Sequence, residues 1–244
     1  MIVTDCFWEL NNLGERTVEI AIEHQDDFCA QRIEDAVKDY QYVVVKVPVG
    51  KPDFNFGLAS LGYSFVETQF HVSKKISQLD MNDRLVKIFA KGLTFRDVDL
   101  NTGLDEVLDK ISDNMFTTDR VVLDPHFSPQ TGRKRYVNWM RSTLCDKTLF
   151  FEMILNGEAV GFGFAKFSDD NKVLDGILGG IYEPFQSCGY GLLTPLGGLL
   201  LCKQRNLPVE NLVTSVSSNN VVFQLYNYLS YRIDSMTYVY VKHR

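Results

Sequence analysis

The sequence predicts a mixed α/β fold, and three observations carry that prediction. Strand-like runs alternate with helical periods along the whole chain. Residues 148–155 and 159–167 form two apolar runs joined at Asn156-Gly157, a two-residue pair that favours the tight turn of an antiparallel hairpin. Residues 177–182 form an apolar run that passes through Gln186-Ser187-Cys188-Gly189-Tyr190-Gly191 into a leucine-rich helical period. That last junction is strand, glycine-bearing turn and helix in immediate succession.

Taken in order, residues 16–22 alternate as a strand, 28–37 suit a helix and 42–47 are a β-branched strand. Residues 55–61 suit a short helix stopped by Gly62, and 65–72 return to strand. Residues 73–84 are polar and read as a surface connection. Residues 86–95 read as a strand with Gly92 marking a bulge, and 104–115 as a helix with one apolar face. Residues 124–135, with Pro125, Pro129 and Gly132, read as a surface loop, and 135–144 as a helix. After the hairpin come strand 177–182, helix 192–205, strand 212–216, helix 219–229 and a closing strand 236–242. The segments 58–65 and 225–233 echo each other, each ending a helix in leucine, a small or polar residue and tyrosine before a strand. This suggests two units: a smaller α/β domain over residues 1–84 and a second domain over 85–244.

The 244 residues are 45% apolar and 23% charged, a globular balance long enough for a large core. The formal charge of −6 disfavours nucleic acid or an anionic membrane as partner, because both need a basic face. The longest nearly uncharged stretch, 176–202, is interrupted by Glu183, Pro184, Pro195 and several glycines, so no membrane span is expected. Asp5 and Glu9 at the start argue against a secretory signal. The cysteines at 6, 29, 145, 188 and 202 form no CxxC pair and imply free thiols in a reducing, cytoplasmic compartment. The four histidines have no metal-like spacing, so no metal site is expected.

The glycine-bearing turn carries the chemistry. The first N–H groups of a helix have no intrahelical partner, and the helix dipole favours negative charge there. Such a junction holds a phosphate group without arginine or lysine. Gly189 and Gly191 allow close backbone approach and positive φ, so amides from Cys188 through Tyr190 to Leu192 are the expected contacts, with Gln186 ordering the loop. Asn219 can cap the following helix. Tyr226 offers a phenol that, at an ordinary pKa of about 10, stays protonated at neutral pH and can donate to a developing thiolate. Cys188 lies near a helix start, where a thiolate is stabilised; a covalent mechanism would need His71 or His126 beside it. Glu183, Asp175 and His126 are the candidate bases, Glu183 first. Arg133, Lys134 and Arg135 are candidate contacts to a diphosphate.

From about Leu85 the chain resembles the GNAT superfamily of acyl-CoA-dependent N-acetyltransferases. Gln186, Gly189 and Gly191 match the superfamily's cofactor loop, and Asn219, Val222, Leu225 and Tyr226 match its next signature. Glu183 stands where many members have proline, Val222 replaces alanine, and Ser230 replaces the glycine before Tyr231. The whole chain resembles the dTDP-fucosamine acetyltransferase type, on the segments 6–14 and 121–128. The resemblance implies a mixed, mostly antiparallel sheet flanked by helices, with acetyl-CoA as cosubstrate. It implies pantetheine pairing along the strand ending at Ile181 and Glu183, cofactor contact by Asn219, and a leaving-group role for Tyr226. The implied acceptor is the amine of a nucleotide-linked amino sugar. Another amine (a protein N-terminus, a polyamine or an antibiotic) and a non-catalytic acyl-CoA sensor are the alternatives, and a homodimer is compatible with the chain.

Overall fold

The computed structural model describes residues 1–244. In chain order the elements are β1 Ile2–Asp5, α1 Glu9–Leu13, β2 Thr17–Ala21, α2 Ala30–Val37, β3 Tyr42–Pro48, α3 Pro52–Ser60, β4 Ser64–Lys75, α4 Arg84–Gly92, β5 Leu93–Asp97, α5 Leu104–Asp109, α6 Arg120–Leu123, α7 Gln130–Thr143, β6 Thr148–Leu155, β7 Glu158–Phe167, β8 Val173–Ile181, α8 Leu193–Gln204, β9 Asn211–Ser217, α9 Phe223–Tyr228 and β10 Arg232–His243. The ten strands make one sheet in the order β1-β2-β3-β10-β4-β9-β8-β7-β6-β5. Only the β2/β3 and β8/β9 pairs are parallel. The fold is the expected mixed α/β arrangement, a mostly antiparallel sheet flanked by helices.

Side-chain alternation along the strands builds a core on each face. On one face Phe151, Met153 and Leu155 of β6 meet Leu193, Leu196 and Leu200 of α8, with Val86 and Phe89 of α4 beside them. On the other, Phe150, Phe162 and Phe164 meet Leu108 and Met140 from α5 and α7. A third core lies under α2 and α3, where Ile33, Phe54 and Leu58 cover Val18, Val43 and Val45. Helix α8 is apolar all round because it is buried all round. Its Gly197 lets the helix close on the sheet, since a Cβ there would sit 2.6 Å from the Met153 sulfur.

The sheet does not divide at residue 84. β4 pairs with β9 on one side and β10 on the other, so a strand from the first 84 residues lies between two strands of the remainder. β10 in turn pairs with β3, and its Tyr240 belongs to the core under α2 and α3. The two segments therefore interleave, and the backbone ladder is continuous through both.

Several expectations are corrected. Residues 86–95 are the helix α4 followed by β5, because Asp83 caps the N–H groups of Leu85 and Val86 at 2.9 Å each and the apolar residues recur on a helical period. Residues 73–84 are a surface connection only from Asp80 onward: 73–75 extend β4, and Ile76 and Leu79 are buried. α5 stops at Asp109, and a 3-10 turn, Asp113–Phe116, follows it. The loop after α6 is short, because α7 already starts at Gln130. α9 starts four residues later than expected, and the polar segments β1 and α1 gave no pattern that marks them. The hairpin turn is as expected, with Asn156 at φ 53° and Gly157 at φ 86°.

Candidate active site

The site grows from a defect in the sheet. β8 and β9 pair in parallel only from Val173 opposite Asn211 to Gly176 opposite Thr214. Beyond that point β8 runs on to Ile181 and β9 to Ser217, unpaired to each other. A register shift against β7 leaves Ile177 as an extra residue on β8, and such a bulge bends its strand. At the fork the Thr214 hydroxyl donates to the Gly176 carbonyl at 2.6 Å.

Hydrogen-bond parity says which backbone groups line the gap. The Tyr182 N–H donates to Val160 O at 2.9 Å, toward β7. Successive residues of a strand point to opposite sides, so the N–H and C=O groups of Gly179 and Ile181 face the open edge. Gln186 reaches back to the Ile181 carbonyl through Nε2 at 3.3 Å. It ties the turn to the strand.

The turn itself is two short 3-10 segments, Glu183–Cys188 and Tyr190–Leu192, joined at Gly189. Gly189 has φ 77°, a left-handed conformation that costs other residues free energy. Its N–H makes no backbone hydrogen bond. Gln186, Ser187, Cys188 and Gly189 are exposed, whereas Tyr190 packs edge-on against Phe89 and Leu192 is buried. The face of the turn around Gly189 is thus open to solvent.

Tyr226 lines the same gap from α9. It is 8% exposed and its ring meets Tyr231 edge to face, with centroids 4.9 Å apart. Burial pushes its pKa up to about 12, against a smaller opposing effect of the Thr214 side chain. A protonated phenol is therefore held at the fork of the two strands.

Other expected residues are placed differently. Glu183 is exposed and does not line the cleft. Its carboxylate accepts from Asn114 Nδ2 at 2.7 Å, and hydrogen bonds from Ser112 and Asn114 lower its pKa, which suits it poorly as a base. Asn219 donates to Val66 O of β4 at 3.1 Å, outside the cleft. The local cap is its neighbour, Asn220, whose Oδ1 accepts the Val222 N–H at 3.0 Å. Cys188 has no histidine beside it: His71 is bonded to Ser215 at 2.8 Å and His126 to Glu15 at 2.7 Å. Arg133 spends its guanidinium on the carbonyls of Ile111 and Leu108 at the end of α5.

The gap opens into a chamber, and the two share one cleft of about 990 Å³. The chamber wall comes from α1, β2, β3 and β4 facing α6 and α7, with Trp8, Tyr42, Tyr136 and Trp139 as its aromatic surface. Arg135 bonds Glu9 at 2.7 Å, and Asn12 supports Glu9 at 3.0 Å. Tyr136 donates to Asp119 at 2.5 Å. Burial alone would raise the Asp119 pKa, yet Arg135 and Arg120 hold it below the ordinary carboxylate value. Arg120 lies 3.7 Å from Glu67, and Lys46 lies 2.9 Å from Glu19. Every cation of the chamber is paired with a carboxylate. The Arg120 Nε and the Tyr42 hydroxyl are buried without a hydrogen-bond partner.

His71 stands on the chamber side, half-buried, between Ser215 on its Nδ1 and Thr237 at 3.4 Å from its Nε2. Burial and the nearby Lys46 lower its pKa from the ordinary 6.5. It is a neutral imidazole at pH 7, and no sequence pattern marks it as such.

The sequence matches no protein-family model and no curated protein. Solved structures do match. A conserved protein of unknown function from Staphylococcus epidermidis aligns with a TM-score of 0.61 at 12% identity, over 94% of this chain and 85% of that one. A GCN5-related N-acetyltransferase from Sphaerobacter thermophilus aligns at 0.59 and 12% identity, over 93% and 73%. A tandem GNAT protein from the clavulanic acid biosynthesis pathway aligns at 0.55 and 13%, over 93% and 75%. This chain has the GNAT fold. Identities this low speak for the architecture alone, and none of these matches identifies the chain as the dTDP-fucosamine type. No helix is long and apolar enough to cross a membrane.

Proposed function

We propose that the protein is an acetyl-CoA-dependent N-acetyltransferase that works by direct transfer. The observation that carries this reading is the β8/β9 gap, whose free backbone groups lie beside a buried, protonated Tyr226. The residues present fit the cosubstrate. Gly179 and Ile181 offer an unpaired strand edge to amide groups, as an added strand would need, and the open turn at Gly189 to Leu192 suits a pyrophosphate. Acetyl-CoA held there supplies an acetyl group activated as a thioester.

Each residue then has a task. The Ile181 N–H, at the open strand edge, is the donor for the thioester carbonyl oxygen as negative charge develops. His71, neutral and on the chamber side, accepts the proton that the attacking amine loses. Tyr226 donates a hydrogen bond to the sulfur as it leaves. With its pKa near 12, the phenol stabilises a thiolate of ordinary pKa, about 8.5, without giving its proton up. Glu183 has no task in this scheme.

The nucleotide-linked amino sugar implied by the resemblance needs a cationic pocket for its diphosphate. Lys46, Arg120 and Arg135 are each neutralised by a carboxylate, so the chamber supports a small polar amine without a diphosphate. A chamber open to the gap also favours catalysis over a non-catalytic acyl-CoA sensor. The test is an acceptor screen with acetyl-CoA and free-thiol detection, covering amino sugars, their nucleotide-linked forms, polyamines and peptide N-termini. Turnover confined to nucleotide-linked forms would overturn the acceptor assignment. Absence of turnover on all classes, with CoA bound, would favour the sensor.

A further inference from the structure

Two of the four histidines meet on the far side of Tyr42 from the cleft. His126, in the loop after α6, and His243, at the end of β10, have ring centroids 4.0 Å apart. Glu15, in the turn before β2, reaches both: its Oε1 is 2.7 Å from His126 Nε2, and its Oε2 is 3.7 Å from His243 Nδ1. One ligand atom from each of the three residues lies within 4.8 Å of the other two.

Asp124 organises this cluster. Its Oδ1 accepts the His126 backbone N–H at 3.0 Å, and its Oδ2 accepts from His243 Nε2 at 2.8 Å. A proton on His243 Nε2 leaves its Nδ1 as a bare lone pair. That lone pair faces Glu15 Oε2, and both atoms are buried without a hydrogen-bond partner. Two acceptors this close repel unless a second proton or a metal cation lies between them. Donor atoms about 2.1 Å from a tetrahedral metal are about 3.4 Å apart, close to the 3.7 Å observed. With neutral imidazoles the two carboxylates leave two negative charges, which one divalent cation balances. A carboxylate on the far nitrogen of a metal-bound histidine is the usual way such a ring is oriented.

We propose that Glu15, His126 and His243 form a binding site for a divalent transition metal of the zinc type, with Asp124 orienting His243 and a fourth position open to water. Two imidazoles and a carboxylate suit zinc, or cobalt in its place. The ligands come from the turn before β2, the loop before α7 and the last strand of the chain, so the metal staples these three together. It also fixes the His243 ring, which packs 4.8 Å from that of Tyr42 in the acceptor wall.

The test uses the full chain, stripped of metal with a chelator, and Co²⁺ alone as probe. Visible d–d absorption should saturate at one Co²⁺ per chain, and Zn²⁺ should displace it. The thermal midpoint should rise with Zn²⁺ concentration, as for any ligand of the folded state. Glu15→Gln and His243→Gln should abolish saturation, and so should His126→Gln, an exposed position that tolerates change. Asp124→Asn should weaken binding about 10–100-fold. No saturable signal would overturn the site, and so would binding unchanged in His126→Gln, which would place the metal on the exposed cysteines Cys29, Cys145 or Cys188.

Discussion

In the proposed reading the cleft has a cofactor end and an acceptor end, built on opposite plans. The cofactor end is backbone: the unpaired edges of β8 and β9 and the glycine turn, contributed by residues 176–217, with no charged side chain pointed inward. The acceptor end is side chain: buried ion pairs between Glu9, Arg135, Asp119, Arg120 and Glu67, drawn from α1, β4, α6 and α7. A backbone site can bind one invariant ligand from a short stretch of sequence. A charged chamber needs partners that the fold alone brings together. On the proposed function, specificity would lie in the part of the molecule where the two segments interleave.

The strongest way to break this contrast is to separate the segments. Residues 85–244 alone lose β4, the strand between β9 and β10, and the cofactor end should fall with the acceptor end. Circular dichroism of that fragment should show no cooperative thermal transition. A folded fragment that binds CoA would show that the two ends are independent.

Next in size is the buried pair at the acceptor end. Arg135→Met strands Glu9 in the wall and removes one of the two arginines facing Asp119. Breaking a buried pair by removing one partner costs about 3–5 kcal/mol. Urea unfolding should show that loss, and the double variant Glu9→Gln/Arg135→Met should recover part of it. A loss below about 1 kcal/mol would mean that the pair behaves as a surface one.

Tyr226→Phe tests the point where the ends meet. It keeps the ring against Tyr231 and removes the hydroxyl. Turnover should fall about 100-fold, the effect of losing one positioned donor, with CoA affinity unchanged. A change confined to KM would assign the hydroxyl to ground-state binding.

The smallest effect is a shape in the pH profile. His71 is pushed below its ordinary value, so its neutral form persists down to pH about 6.5 and the acid limb should begin only below that. Tyr226, near 12, adds no alkaline limb between pH 7 and 10. His71→Gln should remove the acid limb and lower turnover. The same shift makes a stability contribution that is complete above the unfolded-state pKa and lost as pH falls through the lower folded one. An acid limb unchanged in His71→Gln would move the base elsewhere.

The contrast also explains what could be read in the sequence. The strand–turn–helix junction and the Asn156-Gly157 hairpin are local patterns, and each element is found where its pattern put it; Gln186 and Tyr226 were singled out by local patterns too. The strand at 86–95 failed because a short apolar run fits either period, and the Asp83 cap decided for helix. The division at 84 was read from a local echo, whereas the pairing of β4 with β9 and β10 across it leaves no local signal. Glu183 sat at the right strand end, but its side chain turns to Asn114, and no pattern records that direction. The Glu9–Arg135 pair of the chamber and the His126–His243 contact join residues more than a hundred positions apart; only the Cys6–Gly14 segment hinted that the N-terminus matters.

The central claim is that the turn at Gly189, at the mouth of the β8/β9 gap, binds CoA. Calorimetric titration of CoA into the wild-type protein and into Gly189→Trp tests it directly. A Cβ at Gly189 meets no atom within 4 Å, so the new ring projects into the open space of the turn, while its φ of 77° adds local strain. The account predicts one site per chain in the wild type and at least a roughly tenfold weaker affinity, about 1.4 kcal/mol, in a variant whose unfolding transition stays cooperative. Equal CoA affinity in the two folded proteins would contradict it.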